Sequence, residues 1–166
     1  MLPPIVMGLT NFLMVPGNLD AEVWDGEVPR FDTAGNPINP DSAIAGPSIF
    51  PVVTLNMTEG GMRRTWTTLD AYDDRGEILI QVYGTSRLSV EGTMGTIEEL
   101  LAQASNWLKS QINMGGPTTN PFYIIQILLD TWTCIRETEV RLAGSQLCYR
   151  GDMHYDCHVH GAVSTS

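Results

Sequence analysis

The densest chemistry in this sequence lies at its end. Across Gln146 to His160 a strand period of two places His154, Asp156, His158 and His160 on one face, with alternate side chains ~7 Å apart. Cys148, Arg150 and Asp152 continue that face, and Leu147, Tyr149, Met153, Tyr155, Cys157 and Val159 make the other. Imidazole and carboxylate are ligands for zinc, nickel or copper. Neighbours two apart on a flat strand can share an ion, but a tetrahedral site needs a further ligand, for which Cys134 on the neighbouring strand is the candidate. Against this, no spacing matches a zinc finger, an H-E-x-x-H helix or a deaminase. The competing account is a solvated polar face or a subunit interface, sensitive to pH because histidine titrates near neutrality. The expectation is no resident metal and no cofactor, with those residues the ones that would hold an ion.

Other chemistry is thinner. Asp70, Asp73, Asp74 and Glu77 gather around a tight turn expected at Asp73-Asp74-Arg75-Gly76, and lack the ligand order of a calcium hand. Ser86 follows Gly84-Thr85 without the G-x-S-x-G elbow of a hydrolase. Gly60-Gly61 and Gly115-Gly116 lack the spacing of a phosphate-binding loop. The sequence therefore predicts no enzyme. Arg63 and Arg64 form a small basic spot beside Gly60-Gly61. Placed against the acidic cluster of a second copy, with Asp73 and Asp74 at its centre, they would make one contact of a head-to-tail ring. An ordinary charged hairpin end is the plainer account.

These residues need elements to hold them. The uncharged start of the chain predicts a core helix over Pro4 to Met14, with proline in its first turn. It lacks a basic n-region and cleavage site, and it stops at Pro16-Gly17, short of the ~20 apolar residues of a membrane span. A short strand (Ala21 to Trp24) follows, then a breaker-rich loop, Phe31 to Ser48, of a length that is functional, an interface arm or mobile. Ile49 to Met57 reads as a strand with both faces partly covered, and Glu77 to Gly84 as the clearest strand. Arg64 to Tyr72 lacks a clean period and is taken as strand. Thr96-Ile97-Glu98-Glu99 matches a capping box, which predicts a long amphipathic helix starting at Thr96 and stopping near Gly115-Gly116-Pro117. Phe122 to Leu129 reads as a buried strand, and Thr133 to Leu142 pairs in a hairpin with Gln146 to His160. The expected class is α+β: a mostly antiparallel β-sheet, an N-terminal helix, and a long amphipathic helix packed on one face, in one domain over 1–166.

Composition agrees with a globular chain. Of the 166 residues 43% are hydrophobic and 17% charged, enough apolar content for a core. The formal net charge of -10 repels nucleic acid and anionic membranes. Lys109 is the only lysine, and arginine forks suit interface carboxylates. Three cysteines without paired spacing point to reduced thiols and a cytosol rather than a disulfide scaffold.

The order of helix, strand, long loop, strand (Phe50-Pro51-Val52-Val53-Thr54-Leu55), strand, helix and closing strands resembles phage tail terminator proteins over most of the chain. The likeness is greatest in the proline-led strand and in the D-x-x-G-x-I-x-I-x-V-Y run, here Asp73 to Tyr83, ahead of the long helix. The resemblance implies a homohexameric ring that halts tail-tube polymerisation and joins the tail to the neck. It implies a tail tube protein on one side and a head-completion or neck protein on the other, with DNA passing an acidic lumen without specific binding. It implies a virion location, assembly in the host cytoplasm, no membrane and no enzymatic activity. The chain departs from the pattern in the Phe31 to Ser48 loop and the histidine-rich end. Other neck and head-completion proteins share the general look, and an adaptor binding a host protein through that loop is a further alternative.

Overall fold

The computed structural model describes residues 4–25, 51–84, 86–111, 122–141 and 147–162. Helix α1 (Pro4–Leu13) starts on proline, whose missing N–H costs nothing in a first turn. Val6, Leu9 and Leu13 recur at helical spacing and are fully buried. The buried Thr10 hydroxyl donates to the Val6 carbonyl at 2.8 Å. Asn18 Nδ2 donates to the Phe12 carbonyl at 2.9 Å, which satisfies one of the orphaned acceptors at the helix end. Gly17, at φ 89°, turns the chain there.

Among the described residues five strands follow: β1 (Glu22–Asp25), β2 (Val52–Trp66), β3 (Ala71–Gly84), β4 (Phe122–Arg141) and β5 (Leu147–Ala162), with α2 (Arg87–Gln111) between β3 and β4. They form one sheet in the order β1-β2-β3-β5-β4. Among these described strands β1 and β2 run parallel, and the other three pairs are antiparallel. The class is α+β, as expected.

One face of this sheet makes the core. Val53 and Leu55 of β2, Ile78, Ile80 and Val82 of β3, Ile127 of β4 and Met153, Tyr155, Cys157 and Val159 of β5 cluster with the apolar stripes of both helices. In α2 that stripe is Val90, Met94, Ile97 and Leu101, all buried. Each such aliphatic side chain stabilises the fold by ~1.5–3 kcal/mol through burial. The sheet is kept close to α2 by a missing side chain: a Cβ at Gly151 would collide with Met94 Sδ and crowd Val90.

Four details differ from expectation. First, α2 begins at Arg87, well before Thr96. Ser86 is its cap, with Oγ accepting from the Ser89 N–H at 3.2 Å. Thr96 sits inside the helix and donates back to the Gly92 carbonyl at 3.1 Å. Gly92 and Gly95 have low helix propensity, which the packing of Val90, Met94, Ile97 and Leu101 on the sheet overrides. Second, Asp73 to Gly76 is not a turn but the middle of β3. The hairpin turns instead at 67–70, which splits the strand expected over Arg64 to Tyr72 between β2 and β3; there the Thr67 and Thr68 N–H groups donate to the Ala71 carbonyl, and Thr68 Oγ1 donates to Asp70 at 2.7 Å. The acidic residues tolerate the strand because neighbouring strands supply donors: Arg64 on β2 binds Asp74, and His160 on β5 bonds Asp73. Third, the separate strands expected over Phe122 to Leu129 and Thr133 to Leu142 are one strand, β4, kept continuous by register shifts. Fourth, β2 runs through the turn expected at Glu59-Gly60-Gly61 as an irregular stretch between Met57 and Met62. The Phe31 to Ser48 loop lies outside the described residues, as does the predicted helix end at Gly115-Gly116-Pro117.

Candidate functional site

The second face of the sheet carries the histidines. The β3–β5 register sets Asp73 opposite His160, Arg75 opposite His158, Glu77 opposite Asp156, Leu79 opposite His154 and Gln81 opposite Asp152. Residues directly opposite share a face, so the odd positions of β3 and the even positions of β5 interlock away from the helices.

Their contacts form three bonded groups along the strands. His160 Nδ1 lies 2.8 Å from Asp73 Oδ1, and His154 Nδ1 lies 2.9 Å from Glu77 Oε1. An ionised carboxylate only accepts, so each Nδ1 carries the proton. His158 Nε2 sits 3.5 Å from Asp73 Oδ2 and is buried without a hydrogen-bond partner among the described residues. Gln81 Nε2 donates to Asp152 Oδ1 at 3.0 Å, and Arg150 Nη2 donates to Asp152 Oδ2 at 3.2 Å. The His160 hydrogen bond holds the Asp73 carboxyl below the usual carboxylate range; burial opposes this, and His158 adds a smaller pull in the same direction.

This geometry separates the sequence-derived metal candidates. His158 and His160 converge on Asp73, His154 is taken by Glu77, and Asp156 is exposed opposite Glu77, bonded to none of them among the described residues. Cys134 is on the adjacent strand, but opposite Gly151, and so faces the helices on the far side of the sheet. It packs against the core, where burial raises its thiol pKa. Among the described residues no group of three or more histidine, cysteine, aspartate or glutamate side chains is arranged to hold an ion. Cys157 is also turned inward, its thiol pushed up to about 12 by burial.

The charged residues expected at a subunit contact are mostly engaged within the chain. Arg64 grips Asp74 through Nε and Nη2, both at 2.8 Å. Its guanidinium stacks 3.6 Å from the Tyr72 ring centroid. That fork raises the Arg64 pKa further. Asp73 is held by His160. Arg63 is exposed, opposite Arg75.

Sequence reasoning misses Asp73 and Glu77 on β3 as the histidines' counterparts, and Gln81 as that of Asp152. The signal was present: Asp73, Arg75, Glu77, Leu79 and Gln81 sit at alternate positions, four of the five polar, complementary to those of β5. Placing a turn over Asp73 to Gly76 hid that alternation.

Fold and site together define an α+β protein with one sheet face packed by helices and the other lined with bonded polar side chains. No family model matches the chain, and no curated protein matches it. Among solved structures, a chain of the virion of a native gene transfer agent (GTA) particle aligns with a TM-score of 0.43 and 11% identity, over 93% of this chain and 95% of that one.

Proposed function

We propose that this chain is a structural virion protein, a tail terminator of a long-tailed phage that closes into a homo-oligomeric, hexameric ring capping the tail tube and joining it to the neck. The observation that carries the proposal is the pair of unlike open edges on the sheet. Strand β4, 20 residues long, pairs among the described residues with β5 alone. It exposes Leu128, Trp132 and Ile135 at 52%, 50% and 45%. At the opposite edge β1 covers β2 only over Val52 to Leu55, which leaves the rest of β2 unpaired on that side among the described residues. Long edges with apolar side chains invite pairing and are normally covered. A head-to-tail ring needs two different complementary surfaces on each subunit, and these edges supply them. Arg63 is the charged residue left for a neighbour, since Arg64 and Asp74 bind each other and Asp73 binds histidine.

In this role the protein acts without turnover, in one domain, without cofactor or membrane. Its partners are further copies of itself, the tail tube protein and a head-completion or neck protein. DNA crosses the acidic lumen without specific binding, and assembly takes place in the host cytoplasm. The native mass of the purified chain, measured with that of Trp132→Glu and Ile135→Lys variants, tests the proposal. A discrete ring that the variants reduce to monomer is expected. A ring indifferent to β4 charge, or a monomer that also fails to close on isolated tail tubes, sinks it.

A further inference from the structure

We infer that the cleft beside the β2 irregularity binds a carboxylate, held by Arg63, Arg75 and His158. The register puts these side chains in one row across three strands: Arg63 is opposite Arg75, and Arg75 is opposite His158. Opposed residues on antiparallel strands have Cβ atoms ~5 Å apart, and like charges there repel. The carboxylates that would ordinarily neutralise Arg75 flank it on its own strand, and both are already bonded: Asp73 to His160 and Glu77 to His154. Both guanidiniums are exposed, and neither makes an ion pair among the described residues. The histidines thus engage Asp73 and Glu77, which leaves two cations side by side with Asp156 as the one unbonded acid of the cleft among the described residues.

Concavity completes the site. The row lines a cleft of about 560 Å³, shared with Thr58, Gly60, Gly61, Glu77 and Asp156. It opens because residues 58–61 leave the β2–β3 ladder between Met57 and Met62. Gly61 takes φ 59°, a backbone that side chains rarely adopt. No atom lies within 4 Å of where a Cβ would stand on Gly60 or Gly61, so this side of the cleft stays open.

Charge then selects the ligand. Guanidinium forks match the two coplanar oxygens of a carboxylate in bidentate fashion. Glu77 and Asp156 in the same cleft repel a phosphate dianion more than a monoanion. The ligand class is therefore a carboxylate, from a free acid or from an Asp or Glu side chain of another protein. The site is complete in one chain but shares Arg63 with the ring contact, so Arg75→Gln, which leaves that contact intact, separates failure of this site from failure of the ring.

Thermal melting of the full chain tests it, with sodium acetate compared against sodium chloride at equal ionic strength. Acetate is expected to raise the midpoint by ~2–4 °C beyond chloride, saturably. Arg63→Gln and Arg75→Gln should abolish the difference, and Arg75→Lys, which keeps charge but loses the fork, should weaken it. Both positions are exposed, so the variants are expected to fold. A glutamate-containing peptide amide is the second probe. Saturation at a lower concentration than acetate assigns the ligand to a protein side chain, and saturation at an equal or higher one assigns it to a free acid. Acetate and peptide both equalling chloride, responses that survive the glutamine variants, or phosphate outperforming acetate would each overturn the inference.

Discussion

Asp73 joins two histidines of β5 through one carboxylate, and its behaviour with pH follows from that. Its folded pKa is depressed, first by the His160 bond, so the native chain keeps it ionised to lower pH than the unfolded chain does. The stability this contributes is fully present above the unfolded value of ~3.9 and is lost as pH falls through the folded one. In urea titrations, wild type should unfold at higher denaturant than Asp73→Asn near neutrality, and the two should converge in acid. A gap that stays constant with pH would show that Asp73 acts by packing rather than charge. Cys157 makes a second prediction on this scale. With its thiol pushed up to about 12 by burial, it should react with a thiol reagent at least ~100-fold more slowly in the native protein than in denaturant. Mass mapping of the labelled cysteines reads that directly.

At the scale of elements, α2 is where expectation and structure part most clearly. The Thr96-x-x-Glu99 pattern matched a capping box, yet Ser86 bonds the first-turn amide while Thr96 bonds backward inside the helix. Ser86→Ala should therefore cost ~1 kcal/mol, and Thr96→Ala should stay within about 0.5 kcal/mol of wild type. The reverse ranking would move the helix start back to Thr96. The sheet offers its own check. Gly151→Ala places a methyl against Met94 and Val90 and should destabilise by ~1–3 kcal/mol, with partial rescue by Met94→Ala. Strands with strong period-two patterning were legible: the two faces of β5 lie where alternation puts them, and α1 was found nearly to the residue. What escaped were features fixed by partners distant in sequence. Asp73 and Asp74 look like turn residues until His160 and Arg64 are set across from them. Cys134 looks like a ligand for the histidines until the β4–β5 register sends it to the opposite face. A strand neighbour can be inferred from sequence; which side of the sheet it faces depends on a register that local pattern does not encode.

On the scale of the whole molecule, the β3–β5 ladder is the central seam, and every pair in it joins residues separated by α2 and β4. Such long-range pairing forms slowly, so refolding is expected on the ms–s scale rather than in microseconds, measurable by stopped-flow fluorescence. A burst that completes the signal before that range would show that α2 and α1 collapse independently of the seam. The alternation of β5 also gives this late step its own proofreading. Were β5 to settle one residue out of place, Arg150, Asp152, His154, Asp156, His158 and His160 would all be driven beneath α2, while Met153, Tyr155, Cys157 and Val159 turned outward. Each charge trapped there would cost several kcal/mol. Misthreaded chains therefore have nowhere stable to rest, and the same residues that dress the outer face reject the wrong alignment before it can persist.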